Sequence, residues 1–225
     1  METGLSENLF PSGGTAMNWR SNGTYWTLNF ANGFVYPFYG TDYSSVTVST
    51  EGLLKFSEFI SAGDGSNSTE KLLANRLIAP LWDNLRTNGT GDNIFVDQSV
   101  PGQVTIRWDA TNEADGTDVQ VATTLYGDGR IQFHYGPGNT GLSPTIGISS
   151  GGGKSYLLSR YDGQAALAQV ESVEFALTPG LTYADMGAYE FRGDSSDTLP
   201  PRVLSTNPAA VEASGFLVDP ALQVR

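Results

Sequence analysis

FVYPFYGTDYSSVTVSTEGLLKF, from Phe34 to Phe56, is the stretch whose reading decides the fold. It reads as an extended entry strand, a turn at Gly40-Thr41-Asp42, a strand, a tight turn at Glu51-Gly52 and a third strand. Val46 and Val48 alternate with Ser45, Thr47 and Ser49, the period of two that marks a strand with one buried face. Leu54 and Phe56 carry the apolar face past the turn.

The same pattern repeats outward from this stretch. Upstream, Trp26, Leu28 and Phe30 share one face, and Asn32-Gly33 supplies a turn signal. Downstream, Glu70 to Arg76 has helix-forming residues with Thr69 as an N-cap, but spans only about two turns. Leu77 to Leu85, LIAPLWDNL, carries Pro80 inside an apolar run, which favours an edge strand or a bent one. Val104, Ile106 and Trp108 are predicted to point inward, as are Val119, Val121, Thr123 and Leu125, and then Ile131, Phe133 and Tyr135 after a turn at Gly127-Asp128-Gly129. Residues 145–149, 156–158 and 170–177 complete the strands. Strands every 8 to 15 residues with no long helix predict an all-β fold, an antiparallel β-sandwich of jelly-roll-like form with at most one or two short helices.

Composition agrees with short strands joined by tight turns: the 225 residues include 27 glycines, and only 16% are charged. The net charge of −12, from 24 acidic and 12 basic residues, opposes binding to phosphate backbones, so nucleic acid is not an expected partner. No run approaches the ~20 apolar residues of a membrane helix, so no membrane insertion is expected. The absence of cysteine excludes thiol chemistry, disulfides and cysteine-ligated zinc. Residues 1–18 read as a polar lead-in anchored by side chains such as Phe10, residues 19–193 as the β-sandwich domain, and residues 194–201, DSSDTLPP, as a linker. Residues 202–225 read as the incomplete start of a following domain or a docked tail, since 24 residues cannot bury a core of their own. With no leader pattern after Met1 and an end at Val224-Arg225, the chain reads as a piece of a longer protein.

Carboxylates are the candidate chemistry. Asp109 to Asp118, DATNEADGTD, holds Asp109, Asn112, Glu113, Asp115 and Asp118 around Gly116. Hard cations take several oxygen ligands from a short flexible loop, so calcium is the candidate cofactor here. The alternative is a solvated hairpin loop that uses Asp and Asn for turn geometry. Asp83, Asp92 and Asp97 form a looser set, in which Asp83 has a second reading as a structural cap. Asp64, Asn67 and Glu70 form a third. His134, the only histidine, alternates with Phe133 and Tyr135 and is predicted as an exposed strand residue. No nucleophile elbow accompanies it. Gly151-Gly152-Gly153-Lys154 lacks the helix of a phosphate loop and reads as a hairpin turn. Among the aromatics weighed as a sugar platform (Trp19, Tyr25, Tyr36, Tyr39, Tyr43 and Tyr126), Tyr39 and Tyr126 are the ligand-binding candidates, being placed on outward strand positions.

YPFYGTDYSSVTVSTEGLLKFS, IAPLWDNL, VTIRWDAT, ATTLYGDGRIQFHYG and SPTIGISSG, in this order over about 140 residues, resemble a nidogen-like (NIDO-type) extracellular domain in its bacterial form. Two positions depart from that pattern. Glu51 stands where Asn usually precedes Gly, which puts the turn type in question, and Asn84 stands where an Asp often follows the Trp-Asp pair. ADMGAYEF, Ala184 to Phe191, looks like a segment that often closes bacterial parallel β-helix domains, and Pro200 to Arg225 is similar to the beginning of a bacterial Ig-like domain. The resemblance implies no catalytic residues. It leads to the expectation of a non-enzymatic adhesion or structural module of a secreted or cell-surface multidomain protein, with a carbohydrate-binding module as the alternative. The expected partner is an extracellular protein or glycan, or a second copy reached through the C-terminal tail at Val203-Leu204 or Leu222 to Val224.

Overall fold

Alternating apolar residues stack the chain into two antiparallel sheets with one core between them. The computed structural model describes residues 1–56 and 66–176. The loop at Asp64, the 194–201 linker and the 202–225 tail, with Val203-Leu204 and Leu222 to Val224, lie outside the described residues. In chain order the elements are β1 (Glu2–Gly4), β2 (Thr15–Ala16), β3 (Tyr25–Asn29), β4 (Tyr36–Phe38), β5 (Thr41–Tyr43), β6 (Ser45–Ser49), β7 (Leu54–Lys55) and α1 (Thr69–Ala74). Then follow β8 (Arg76–Trp82), β9 (Leu85–Arg86), β10 (Asn93–Asp97), β11 (Gln103–Asn112), β12 (Asp118–Tyr126), β13 (Ile131–Tyr135), β14 (Thr145–Ser150), β15 (Tyr156–Leu158) and β16 (Val173–Phe175).

The larger sheet runs β1-β16-β13-β12-β11-β10-β2, with β9 paired to β11 off this path; the smaller runs β15-β14-β8-β7-β6-β3. Trp108, Ile106, Val121, Phe133 and Tyr135 from the larger sheet meet Val46, Val48, Leu54, Ile78 and Ile148 from the smaller in one buried cluster. Each large side chain buried there contributes roughly 1.5–3 kcal/mol. The fold is the predicted all-β sandwich, and α1 is its one helix among the described residues. That helix starts on Ser68 rather than Thr69: the Ser68 side chain accepts from Lys71 N–H. At its other end the β14–β15 hairpin turn donates Gly152 and Gly153 N–H to the carbonyls of Ala74 and Leu73, closing helix groups that would otherwise lack partners.

The Phe34–Phe56 stretch does two jobs. Its second half forms β6 and β7, but its first half folds into a separate two-stranded hairpin, β4–β5. The reversal falls at Tyr39-Gly40, one residue before the predicted turn, with both residues at positive φ (47° and 76°), as a two-residue type I′ loop requires. Tyr36 and Phe38 are fully buried, and with Tyr39, Tyr43 and Phe56 they form an aromatic plug at one end of the sandwich. Arg76 props the hairpin by donating to Tyr43 Oη at 2.5 Å and Thr41 Oγ1 at 3.2 Å.

At Glu51-Gly52 only the glycine takes positive φ (73°), so glutamate fits the turn without strain. A Cβ on Gly52 would stand 2.0 Å from the Leu81 carbonyl oxygen. Strand β8 is interior, not an edge, and resolves its proline by bending. Thr145 pairs with Trp82 and Gly147 with Ala79, so Pro80 and Leu81 oppose the single residue Ile146 in a bulge.

The polar lead-in carries strands that no alternation announces. β1 pairs with β16 at one edge of the larger sheet, and β2 pairs with β10 at the opposite edge. Residues 5–14 connect the two as a strap over the outer face, with Phe10 set against Gln120 and Gly136. Six strand spacings are about 29 Å, and the residues between β1 and β2 can span this when extended.

Candidate functional site

The loops that join the sheets at the end opposite the aromatic plug hold most of the predicted site residues. Strand pairing runs further than predicted: Asp109 to Asn112 belong to β11, and Asp118 opens β12 with Thr111 as its cross-strand partner. The reason is that Ala110 continues the inward face of Trp108 and is buried. The true turn is therefore only residues 113–117.

In and beside that turn most of the candidate side chains have a partner. Asn112, 2% exposed, donates to the Gly141 carbonyl at 3.0 Å and accepts from Ala114 N–H. Asp115 accepts from Thr117 N–H and Oγ1 at 3.0 and 2.7 Å, and these bonds, the hydroxyl's first, hold its carboxyl below the usual range. Glu113 pairs with Arg86 at 2.8 Å. Asp109 lies on the outer face of β11, where both its oxygens take Arg107 Nη1 at 2.6 Å. Asp118 is exposed at the mouth of the hairpin. Among the described residues no three His, Cys, Asp or Glu side chains come together as a metal-holding group.

The looser acidic set divides. Asp83 is 8% exposed and accepts from Asn84 N–H at 2.9 Å and Ser143 N–H at 2.7 Å. That bond ties the end of β8 to the loop before β14. Asp92 is also buried and accepts from Gly89 N–H and the Thr111 hydroxyl, both at 2.9 Å. Asp97 lies far from these, beside a shallow concavity of about 480 Å³ next to β2 and β10. There it caps Ser99 through hydroxyl and N–H, which lowers its pKa. Asn67, from the third set, donates to the Ser143 carbonyl at 2.6 Å.

The loop end is thus a meshwork. Glu113 N–H donates to the Asn84 carbonyl, Thr117 Oγ1 lies 3.0 Å from the Thr140 carbonyl, and Thr111 donates to Asp92. Asn139, which no sequence signal singled out, is fully buried at φ 54°, and its side-chain amide accepts from Gln120 N–H and donates to the Gln120 carbonyl. Its only advertisement in the sequence is its place in a Gly-Asn loop. Glu113, Ala114, Asp115, Gly116 and Asp118 stand exposed on this frame.

Neither aromatic candidate offers an open ring on a strand. Tyr39 sits in the hairpin turn, half-buried with its ring edge-on to Phe38 at 4.8 Å, and burial raises its pKa. Tyr126 closes β12 half-buried, with the Arg130 guanidinium 4.5 Å over its ring and its hydroxyl donating to Gln132 at 2.9 Å. Trp19 stacks parallel on Trp26 at 5.6 Å, and Tyr36 is core. Tyr25, 46% exposed, is the large aromatic that β3 leaves in the open.

His134 corrects its prediction. It points away from the core as expected, yet is only 4% exposed because the strap runs over this face. Nδ1 lies 3.0 Å from Ser172 Oγ and Nε2 lies 3.3 Å from Thr124 Oγ1. Burial lowers its pKa to about 4. A serine–histidine contact with a hydroxyl on the second ring nitrogen, and no carboxylate there, lacks the orienting group of a catalytic triad.

A family model described as NIDO related matches residues 5–191 of the chain. No curated protein and no solved structure matches it.

Proposed function

The chain belongs to the NIDO-related family, and from that premise we propose that it serves as a non-enzymatic extracellular module for adhesion or structural assembly, binding protein through its acidic loop end. The observation that carries this reading is the meshwork itself. Asp83, Asn112 and Asn139 bond backbone groups of neighbouring segments, Asp92 reaches the Thr111 hydroxyl on β11, and Asp92 and Asp115 also hold backbone N–H groups of their own turns. Such an arrangement favours a rigid surface over a reaction centre, because groups engaged in this way are not poised to transfer protons. Rigidity lowers the ordering cost of association. With a net charge of −12, and with Glu113, Asp115 and Asp118 on the rim, the ligand chemistry it suits is a basic protein surface.

A carbohydrate-binding reading draws on Tyr25, exposed on β3 beside Thr27 and Asn29. The two readings part in one experiment: purified protein is presented to a panel of extracellular proteins and to a glycan array. The proposal expects salt-sensitive protein binding that falls at least tenfold in the Asp115→Asn, Asp118→Asn double variant. Asparagine keeps the acceptor oxygen of each carboxylate while removing its charge. Glycan binding lost in Tyr25→Ala, with no protein binding, would replace the proposal by its alternative.

A further inference from the structure

Ser172 gathers the strap. Its backbone N–H donates to the Glu7 carbonyl at 2.9 Å, its carbonyl accepts from Leu5 N–H at 2.9 Å, and its hydroxyl accepts from Leu9 N–H at 3.0 Å. The hydroxyl also meets His134 Nδ1, and the contacts continue from His134 Nε2 to Thr124 Oγ1 and on to Thr105 Oγ1 at 3.0 Å. All four of these side chains are buried. One hydroxyl proton is left over at whichever end the row finishes, and the fully buried Ser172, already accepting from Leu9, is the costlier place for it than Thr105 at 8% exposure, so the row runs from Ser172 toward Thr105. Ser172 donates its proton to Nδ1, Nε2–H donates to Thr124, and Thr124 donates to Thr105. That assignment follows from the network and requires a neutral imidazole.

We propose that residues 5–14 are an acid-released strap, held on the outer face of the larger sheet by Ser172 and by Asn8, whose side chain donates to the Tyr135 and Val170 carbonyls at 2.7 and 2.9 Å, and let go when His134 takes up a proton. A second proton on the ring turns Nδ1 into a donor. Ser172 Oγ must then accept from both Leu9 and His134, and its own proton loses its acceptor, while a positive charge is buried among hydroxyls. The charged groups on the elements packed around the ring do not relieve it. Arg107 and Asp109 on β11 pair with each other, Arg130 just before β13 pairs with Glu174 on β16, and Glu171 pairs with Arg160. Asp118 opens β12 at its exposed end, and Glu7 is exposed on the strap. Both ring nitrogens contact hydroxyls. The cheapest relief is local: the strap's hold on Ser172 breaks, water reaches the imidazolium, and the β11–β12 ladder stays paired.

Amide hydrogen exchange of the intact chain, corrected for intrinsic rates, tests this at pH 7 and pH 4.5. The expected result is at least a tenfold loss of protection in residues 5–10 at the lower pH, with β11 and β12 unchanged. His134→Gln, neutral throughout, is expected to abolish the pH response, and Ser172→Ala to leave the strap weakly protected at both pH values. Unchanged strap protection, an equal response in His134→Gln, or simultaneous loss across the whole domain would each overturn the proposal. Should His134→Gln fail to fold, NMR titration of the natural protein decides: the His134 ring and the Leu9 amide must share a midpoint, and separate midpoints refute the switch.

Discussion

Trp108 and Ser49 join the two sheets directly: the indole Nε1 on β11 donates to the Ser49 carbonyl on β6 at 2.7 Å, with both groups buried. Tyr135 makes a second such bond, its hydroxyl donating to the Pro80 carbonyl at 3.1 Å. These bonds fix how the sheets stack, because apolar contact alone is non-directional. Trp108→Phe removes the donor and leaves a buried carbonyl unpaired together with a small cavity. The expected loss is about 2–4 kcal/mol, read from urea unfolding with an unchanged m-value. A loss below about 0.5 kcal/mol, within the range of an ordinary surface substitution, would show that the indole does not pin the sheets.

The Gly52 turn gives a sharper contrast. Ala at position 52 must place its Cβ 2.0 Å from the Leu81 oxygen at φ 73°, so part of the β6–β7 turn has to move. Ala at Gly116, at φ 77° with nothing within 4 Å, meets only the left-handed penalty of about 1–2 kcal/mol. Thermal unfolding is expected to rank Gly52→Ala well below Gly116→Ala. Equal melting temperatures would contradict the close approach at Leu81.

His134 makes stability depend on pH with a definite sign. Burial lowers its pKa from 6.5 to about 4, so the unfolded chain binds the proton more readily and acid favours unfolding. The contribution is fully present above about pH 6.5, falls as pH drops toward 4, and is then exhausted; it amounts to about 3 kcal/mol. Urea midpoints measured between pH 7 and 4 are expected to decline in the natural protein more steeply than in His134→Gln. Parallel curves for the two proteins would assign the acid sensitivity elsewhere.

Strand faces were legible in the sequence wherever alternation ran for five residues or more, and the inward sets at Val104, Ile106 and Trp108 and at Ile131, Phe133 and Tyr135 are buried as read. The short edge strands β1 and β2 were not, because two or three residues in a polar segment carry no period. For the same reason the lead-in gives no sign that it crosses the outer face, and the alternation around His134 points to exposure where the structure buries it. Tyr39 falls on an outward strand position by alternation, but the positive φ it shares with Gly40 places it in the turn instead. At the loop end, composition announced the acidic residues but not their partners. Asp83 reaches Ser143, Asp92 reaches Thr111 and Asn112 reaches Gly141 across 60, 19 and 29 positions of chain, and no local pattern encodes such pairings.

Both Asp109 oxygens, the Asn112 side-chain oxygen and Glu113 Oε2 are engaged by Arg107, Ala114 and Arg86, so a cation that took these oxygens as ligands would have to open those bonds. We therefore expect chelator, and calcium added back at millimolar concentration, to shift the melting temperature by less than 1–2 °C, about the scale of a few tenths of a kcal/mol. A rise of several degrees with calcium, lost in Asp115→Asn, would establish a site there.

The most direct measurement of the central claim is binding to immobilised extracellular proteins at two salt concentrations, comparing the natural protein with the Asp115→Asn, Asp118→Asn double variant of unchanged melting temperature. The account predicts binding that weakens with salt and drops at least tenfold in the double variant. Equal binding by both proteins, or binding that ignores salt, would contradict the acidic loop end as the contact surface.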